Sequence, residues 1–113
     1  MALHETRDLE KSNWRVFFDG LSSQLRGKAA DITVVTHSEH VHQSQCWQLH
    51  GLTYDPHDDA LVVSCRQQEH VISSPRTIRV ESNGQMVHSV EVTKSVGEKE
   101  IVRFVEPLLL TAA

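Results

Sequence analysis

The apolar positions of this chain follow two different periods. Between residues 11 and 26, Trp14, Phe17, Phe18, Leu21 and Leu25 fall at offsets of 0, 3, 4, 7 and 11. That is one face of a helical repeat, and it predicts an amphipathic helix over about residues 11–26. Asn13, Arg15, Asp19, Ser22, Ser23 and Gln24 occupy the opposite face. Asp8 or Ser12 is placed to cap the start, and Gly27 to end the helix in a left-handed conformation. Gly20, inside the helix, leaves room for a close neighbour.

From about residue 29 the period shortens to two, the signature of strands with one face buried. Residues 29–36 read as a strand with Ile32 and Val34 on one face, followed by a turn at His37-Ser38-Glu39. Residues 41–49 read as a single strand. Val41, Trp47 and Leu49 take one parity, and His40, His42, Cys46 and His50 the other. Gly51 marks a bulge, after which Leu52-Thr53-Tyr54 continues the strand. Asp55-Pro56-His57-Asp58-Asp59 is a turn, because proline presets φ and aspartates accept from nearby amides. The apolar run 60–65 suits a central strand covered on both faces. A short strand at Val71-Ile72 ends before Pro75. Residues 77–81, with Ile78 and Val80 inward, turn back through Ser82-Asn83-Gly84, a dipeptide grammar that favours hairpins. Residues 86–93 and 99–105 form the last pair. Residues 106–113 are an apolar tail beyond a single domain of residues 1–105.

One helix followed by six or seven short strands predicts a mainly β, α+β domain. The expected architecture is an N-terminal helix packed on a strongly bent, meandering antiparallel sheet or small open barrel. Its core takes Trp14, Phe17, Leu21 and Leu25 from the helix.

Composition narrows the function classes. The chain has 113 residues, 39% hydrophobic and 23% charged, enough for one domain. Its net charge is −4, which weighs against a nucleic-acid partner. No apolar run is long enough for a membrane-spanning helix. No basic segment followed by an apolar one opens the chain, so the expected compartment is the cytoplasm. There Cys46 and Cys65 are expected as thiols, although two strand cysteines can also be neighbours across a sheet. Eight histidines make the net charge sensitive to mildly acidic pH.

Four segments carry a resemblance: WRVFFDGL from Trp14, GLTYDPHDDAL from Gly51, HVISSPRTIRV from His70, and the closing strand pair at residues 90–104. Together they resemble a family of small bacterial proteins of unknown function. Its members show a tryptophan in an N-terminal helix, a Gly-x-x-Tyr-Asp-Pro-x-Asp-Asp turn, a histidine, a proline and two terminal strands. The resemblance implies a bacterial cytosolic protein and no particular reaction.

Three clusters could carry chemistry. In an extended strand His40 and His42 share a face, and with Cys46 or His50 they form a candidate site for a divalent transition metal. His37 stands nearby. The plainer reading is the solvent face of a half-buried strand. Asp55, Asp58 and Asp59, with His57, place three carboxylates within five residues, as a calcium site would. The spacing lacks the distant glutamate of a calcium loop, and a turn bonding its own amides is the better reading. His70 near Cys65, Ser73 and Ser74 offers a base and nucleophiles. No nucleophile elbow accompanies them, and His70 is expected to donate to a backbone carbonyl.

The reading these observations favour is a non-catalytic binding or protein-interaction module, leaning away from an enzyme. A sheet edge, the His40–His42 face, or Leu108-Leu109-Leu110 in the tail would serve a protein partner or self-association. The alternative is a metal-binding or metal-sensing protein using the segment from His37 to His50. A small hydrolase or transferase comes third.

Overall fold

The computed structural model describes residues 4–36, 41–83, 86–94 and 98–109. In chain order the elements are β1 (His4–Leu9), a 3-10 turn (Lys11–Asn13), α1 (Trp14–Leu25), β2 (Ala30–Val35), β3 (Val41–Cys46), β4 (Leu49–Asp55), β5 (Ala60–Cys65), β6 (Glu69–Ser73), β7 (Thr77–Asn83), β8 (Met86–Thr93) and β9 (Lys99–Leu109). They form two open sheets. The larger has six strands in the order β1-β7-β8-β9-β2-β3, and the smaller three in the order β4-β5-β6. Every pairing is antiparallel. No helix among the described residues is long and apolar enough to cross a membrane.

The fold class is as the periodicity predicts: one helix against an antiparallel, strand-rich body. The strand count differs for two reasons. β1 adds a strand at one edge of the large sheet, where its mostly exposed residues leave no apolar alternation to read. The single strand expected over residues 41–49 divides at a bend at Trp47-Gln48 into β3 and β4, which belong to different sheets. The periodic count breaks there too. Leu49 is fully buried, whereas Val41 is 56% and Trp47 65% exposed.

The helix packs chiefly on β4 and touches β9. Trp14, Phe18, Leu21 and Leu25 form its buried stripe, and Phe17 lies partly buried beside them. Gly27 ends it at φ +80°, as expected. The N-cap position falls to Asn13, whose side chain makes no cap bond. Asp8 instead accepts from Arg79 Nε at 2.8 Å. The close approach of helix and sheet occurs at Gly51 rather than Gly20. A β-carbon on Gly51 would meet Ser22 Oγ at 3.4 Å. Ser22 Oγ donates to the Leu52 carbonyl at 2.7 Å and accepts from its N–H at 3.2 Å. The register of β4 against β5 shifts between Leu49 and Gly51, the bulge the glycine predicts.

Both sheets and the helix share one core. Ile32, Ile78, Val80, Val90, Val92, Val102 and Phe104 come from the large sheet, and Leu52, Leu61, Val63 and Ile72 from the small one. β5, central in its sheet, buries Leu61 and Val63 completely. Ser82 and Asn83 still belong to β7, and pairing resumes at Met86. Gly84 of the expected turn lies outside the described residues. β9 continues to Leu109, its backbone pairing with Val87 and Met86, through the first residues of the segment set apart as a tail.

One expectation is reversed. Cys46 and Cys65 form a disulfide, with their Cα atoms 5.6 Å apart. The cysteines end β3 and β5, and the bond ties the two sheets together. The shared core brings these two strand ends within disulfide reach.

Candidate functional site

Alternation sends every second residue of a strand to the opposite face. In the large sheet the face turned from the core is mostly polar across its middle, with Val41 and Val105 exposed towards its ends, and strand register lines its residues up in transverse rows. Glu81 stands opposite Ser89, Ser89 opposite Arg103, Arg103 opposite Asp31, and Asp31 opposite Gln45. One row thus crosses β7, β8, β9, β2 and β3. The adjacent row sets Arg79 against Glu91, Glu91 against Ile101, Ile101 against Thr33, and Thr33 against Gln43. Over these rows lies a concave cavity of about 840 Å³, lined by all of the first row, by Thr33, Gln43 and Ile101 of the second, and by Ser44 and Trp47.

Trp47 is the large aromatic group of this surface. Its backbone is braced although its ring is exposed. The preceding residue, Cys46, is held by the disulfide to Cys65. The following residue, Gln48, accepts the Arg66 N–H at its carbonyl at 2.9 Å and Arg66 Nη1 at its Oε1 at 3.3 Å. An indole on a fixed turn, beside rows of hydroxyl, amide, carboxylate and guanidinium groups, is equipped to bind a polar ligand. Such sites fix a ligand by a few placed polar groups and an aromatic face.

The residues singled out in the sequence do not assemble into this site. His37 and His40 lie outside the described residues. His42 is exposed on the edge strand β3, and His50 is exposed on β4 in the other sheet. The sulfur of Cys46 is bonded to Cys65, so it does not present the thiolate a metal would need. Among the described residues no group of three or more His, Cys, Asp or Glu is arranged to hold a metal ion.

The aspartate cluster is a turn, as its spacing suggests. Asp55 Oδ1 accepts from the N–H groups of His57 at 2.9 Å and Asp58 at 3.4 Å. Tyr54 donates its hydroxyl to Asp59 Oδ1 at 2.6 Å. Burial, with the hydrogen bond and negative charge of Asp59 and the charge of Asp55 behind it, pushes the phenol up to about 12. The Tyr54 ring meets Trp14 edge-on at 5.1 Å, and Trp14 Nε1 donates to the Leu9 carbonyl at 3.1 Å. His70 has a different partner from the one expected. Its Nε2 donates to Glu100 Oε1 at 2.5 Å, not to a carbonyl. Glu100 is only 4% exposed, with Lys94 Nζ at 3.6 Å from its other oxygen. A buried carboxylate is a stronger acceptor than a carbonyl and needs a partner more. Cys65 has no free thiol to serve as a nucleophile, and Ser73 and Ser74 are exposed where β6 ends.

The groove was missed because its residues are far apart in the chain. The available signal was the outward parity of Asp31 and Thr33, Arg79 and Glu81, Ser89 and Glu91, and Ile101 and Arg103. By alternation alone Trp47 shares the parity of Val41 and Leu49, the side expected to face the core.

Comparison with known proteins agrees with the resemblance of the four segments. An uncharacterized protein of Aquifex aeolicus is 31% identical over 101 residues, covering 87% of this chain and 90% of that protein. No solved structure matches. Trp14, Tyr54, Asp59 and His70, which carry the resemblance, are spent on joining helix to turn and sheet to sheet. Residues 5–113 match the family of unknown function DUF5335, and the chain belongs to that family.

Proposed function

We propose that this chain is a non-catalytic binding module whose ligand lies in the groove on the outer face of the large sheet. The observation that carries this reading is the transverse row Glu81–Ser89–Arg103–Asp31–Gln45 with Trp47 beside it, all lining one cavity. Five strands contribute to a single polar surface. Side chains on a sheet are better fixed than those on loops, which suits recognition.

Thermal shift against a panel of polar ligands, with sugars, nucleotides, amino acids and short peptides as separate classes, tests this. A ligand at a hundredfold excess over its Kd stabilises the native state by about 2.7 kcal/mol. The expected result is a rise in Tm with one class, lost in Asp31→Ala/Arg103→Ala and kept in Glu69→Gln, which lies on the far edge strand of the small sheet. No rise with any class, or a rise that survives the double substitution, overturns the reading.

A further inference from the structure

We infer that the ligand class of this groove is a neutral oligosaccharide, laid across the strands with one ring against Trp47. The inference rests on the groove being the binding site and adds the chemistry of its occupant. Three observations support it.

The first is the aromatic group. Trp47 is 65% exposed, and its turn is held by the disulfide on one side and by Arg66 on the other. A flat indole with a fixed backbone loses little freedom when a flat ligand covers it. The C–H face of a pyranose is such a surface.

The second is the order of the polar row. Glu81 accepts, Ser89 does both, Arg103 donates through a planar fork, Asp31 accepts, and Gln45 does both. A sugar hydroxyl is itself donor and acceptor, so an alternating row can bond it in either role. Neighbouring strands lie about 4.8 Å apart, close to the length of one sugar ring. Across the five strands of the row, the surface repeats at the spacing of the ligand for roughly 19 Å.

The third is charge. Asp31 and Glu81 outnumber Arg103 among the lining residues. A nucleotide would also stack on Trp47, but its phosphates need an excess of cations, and this surface has none. A peptide would want apolar pockets for anchor side chains, and beside the indole only Ile101 of the lining is apolar.

Tryptophan fluorescence reads the test directly. The chain has two tryptophans, and Trp14 is 1% exposed, so quenching by acrylamide reports Trp47. The probes are short oligosaccharides of glucose, mannose and N-acetylglucosamine. Expected are a saturable blue shift, protection from acrylamide, and tighter binding by longer chains of the same sugar. Trp47→Ala should weaken binding by about tenfold or more, and Gln45→Ala should weaken it with the fluorescence of Trp47 still present as a control for folding. If no saccharide binds while nucleotides or peptides stabilise the protein through Arg103, the saccharide inference falls and the groove reading stands. If no class binds, both fall. Saccharide binding unchanged by Trp47→Ala also overturns the inference.

Discussion

Tyr54 is the single tyrosine of the chain, so its ionisation can be followed alone by near-ultraviolet absorbance. Its hydroxyl is buried and donates to Asp59, and its pKa is pushed up to about 12. The unfolded phenol titrates near 10. The native chain therefore holds this proton more tightly than the unfolded one. The stability it contributes is fully present below pH 10 and is lost as pH rises from about 10 to about 12. The expected absorbance midpoint is about 12 in the native protein. In Asp59→Asn it should move towards 10 without reaching it, because burial, the larger cause, remains. A native midpoint near 10 would show that the hydroxyl is open to water. Tyr54→Phe should remove the share of the stability loss over that pH range that comes from this phenol.

At the scale of elements, the two sheets meet at a hydrogen bond between a half-buried histidine and a buried glutamate. His70 on β6 donates to Glu100 on β9, and Lys94 assists from the end of β8. Removing the histidine leaves a buried carboxyl oxygen without its hydrogen-bond partner. His70→Ala is expected to cost about 1–3 kcal/mol, measured by urea unfolding at neutral pH. A loss below about 1 kcal/mol would show that Lys94 and water satisfy Glu100 unaided. This contact also marks how far the sequence could be read. The helix was legible because five apolar side chains repeat on one face and Gly27 stops it. Most strands were legible because Ile78 and Val80, or Leu61 and Val63, show their own burial by alternation. β1 was not, because an edge strand whose residues are mostly exposed carries no apolar alternation. The break between β3 and β4 was not, because Val41, Trp47 and Leu49 keep one parity across a bend that moves the chain to another sheet. The partner of His70 lies thirty residues away, and the rows of the groove join residues such as Asp31 and Arg103 through register alone. Local pattern states which face a side chain takes. It does not state which strand stands next to it.

The whole molecule is two open sheets around one core, covalently tied once among the described residues, by the bond between Cys46 and Cys65. Of the six residues of β3, only Cys46 is buried. This edge strand gains little from packing and depends on its pairing with β2 and on the disulfide. The bond closes a loop with a sequence separation of 19 residues, for which chain entropy gives about 3 kcal/mol of stabilisation. Reduction, or the Cys46→Ser/Cys65→Ser double substitution, should lower Tm by roughly 10–15 °C. Reductant should have no effect on the double variant, which separates loss of the bond from any other action of the thiol. A Tm unchanged by reduction would show that the layers are held by the core and by the His70–Glu100 pair alone. The same bond anchors the turn that carries Trp47. Reduced protein below its Tm should therefore keep its sheets while the exposed indole loses half of its bracing, read as increased mobility of Trp47 in time-resolved fluorescence anisotropy. If the anisotropy of Trp47 does not change on reduction, the bonds between Arg66 and Gln48 are sufficient to hold the platform, and the disulfide serves the fold rather than the groove.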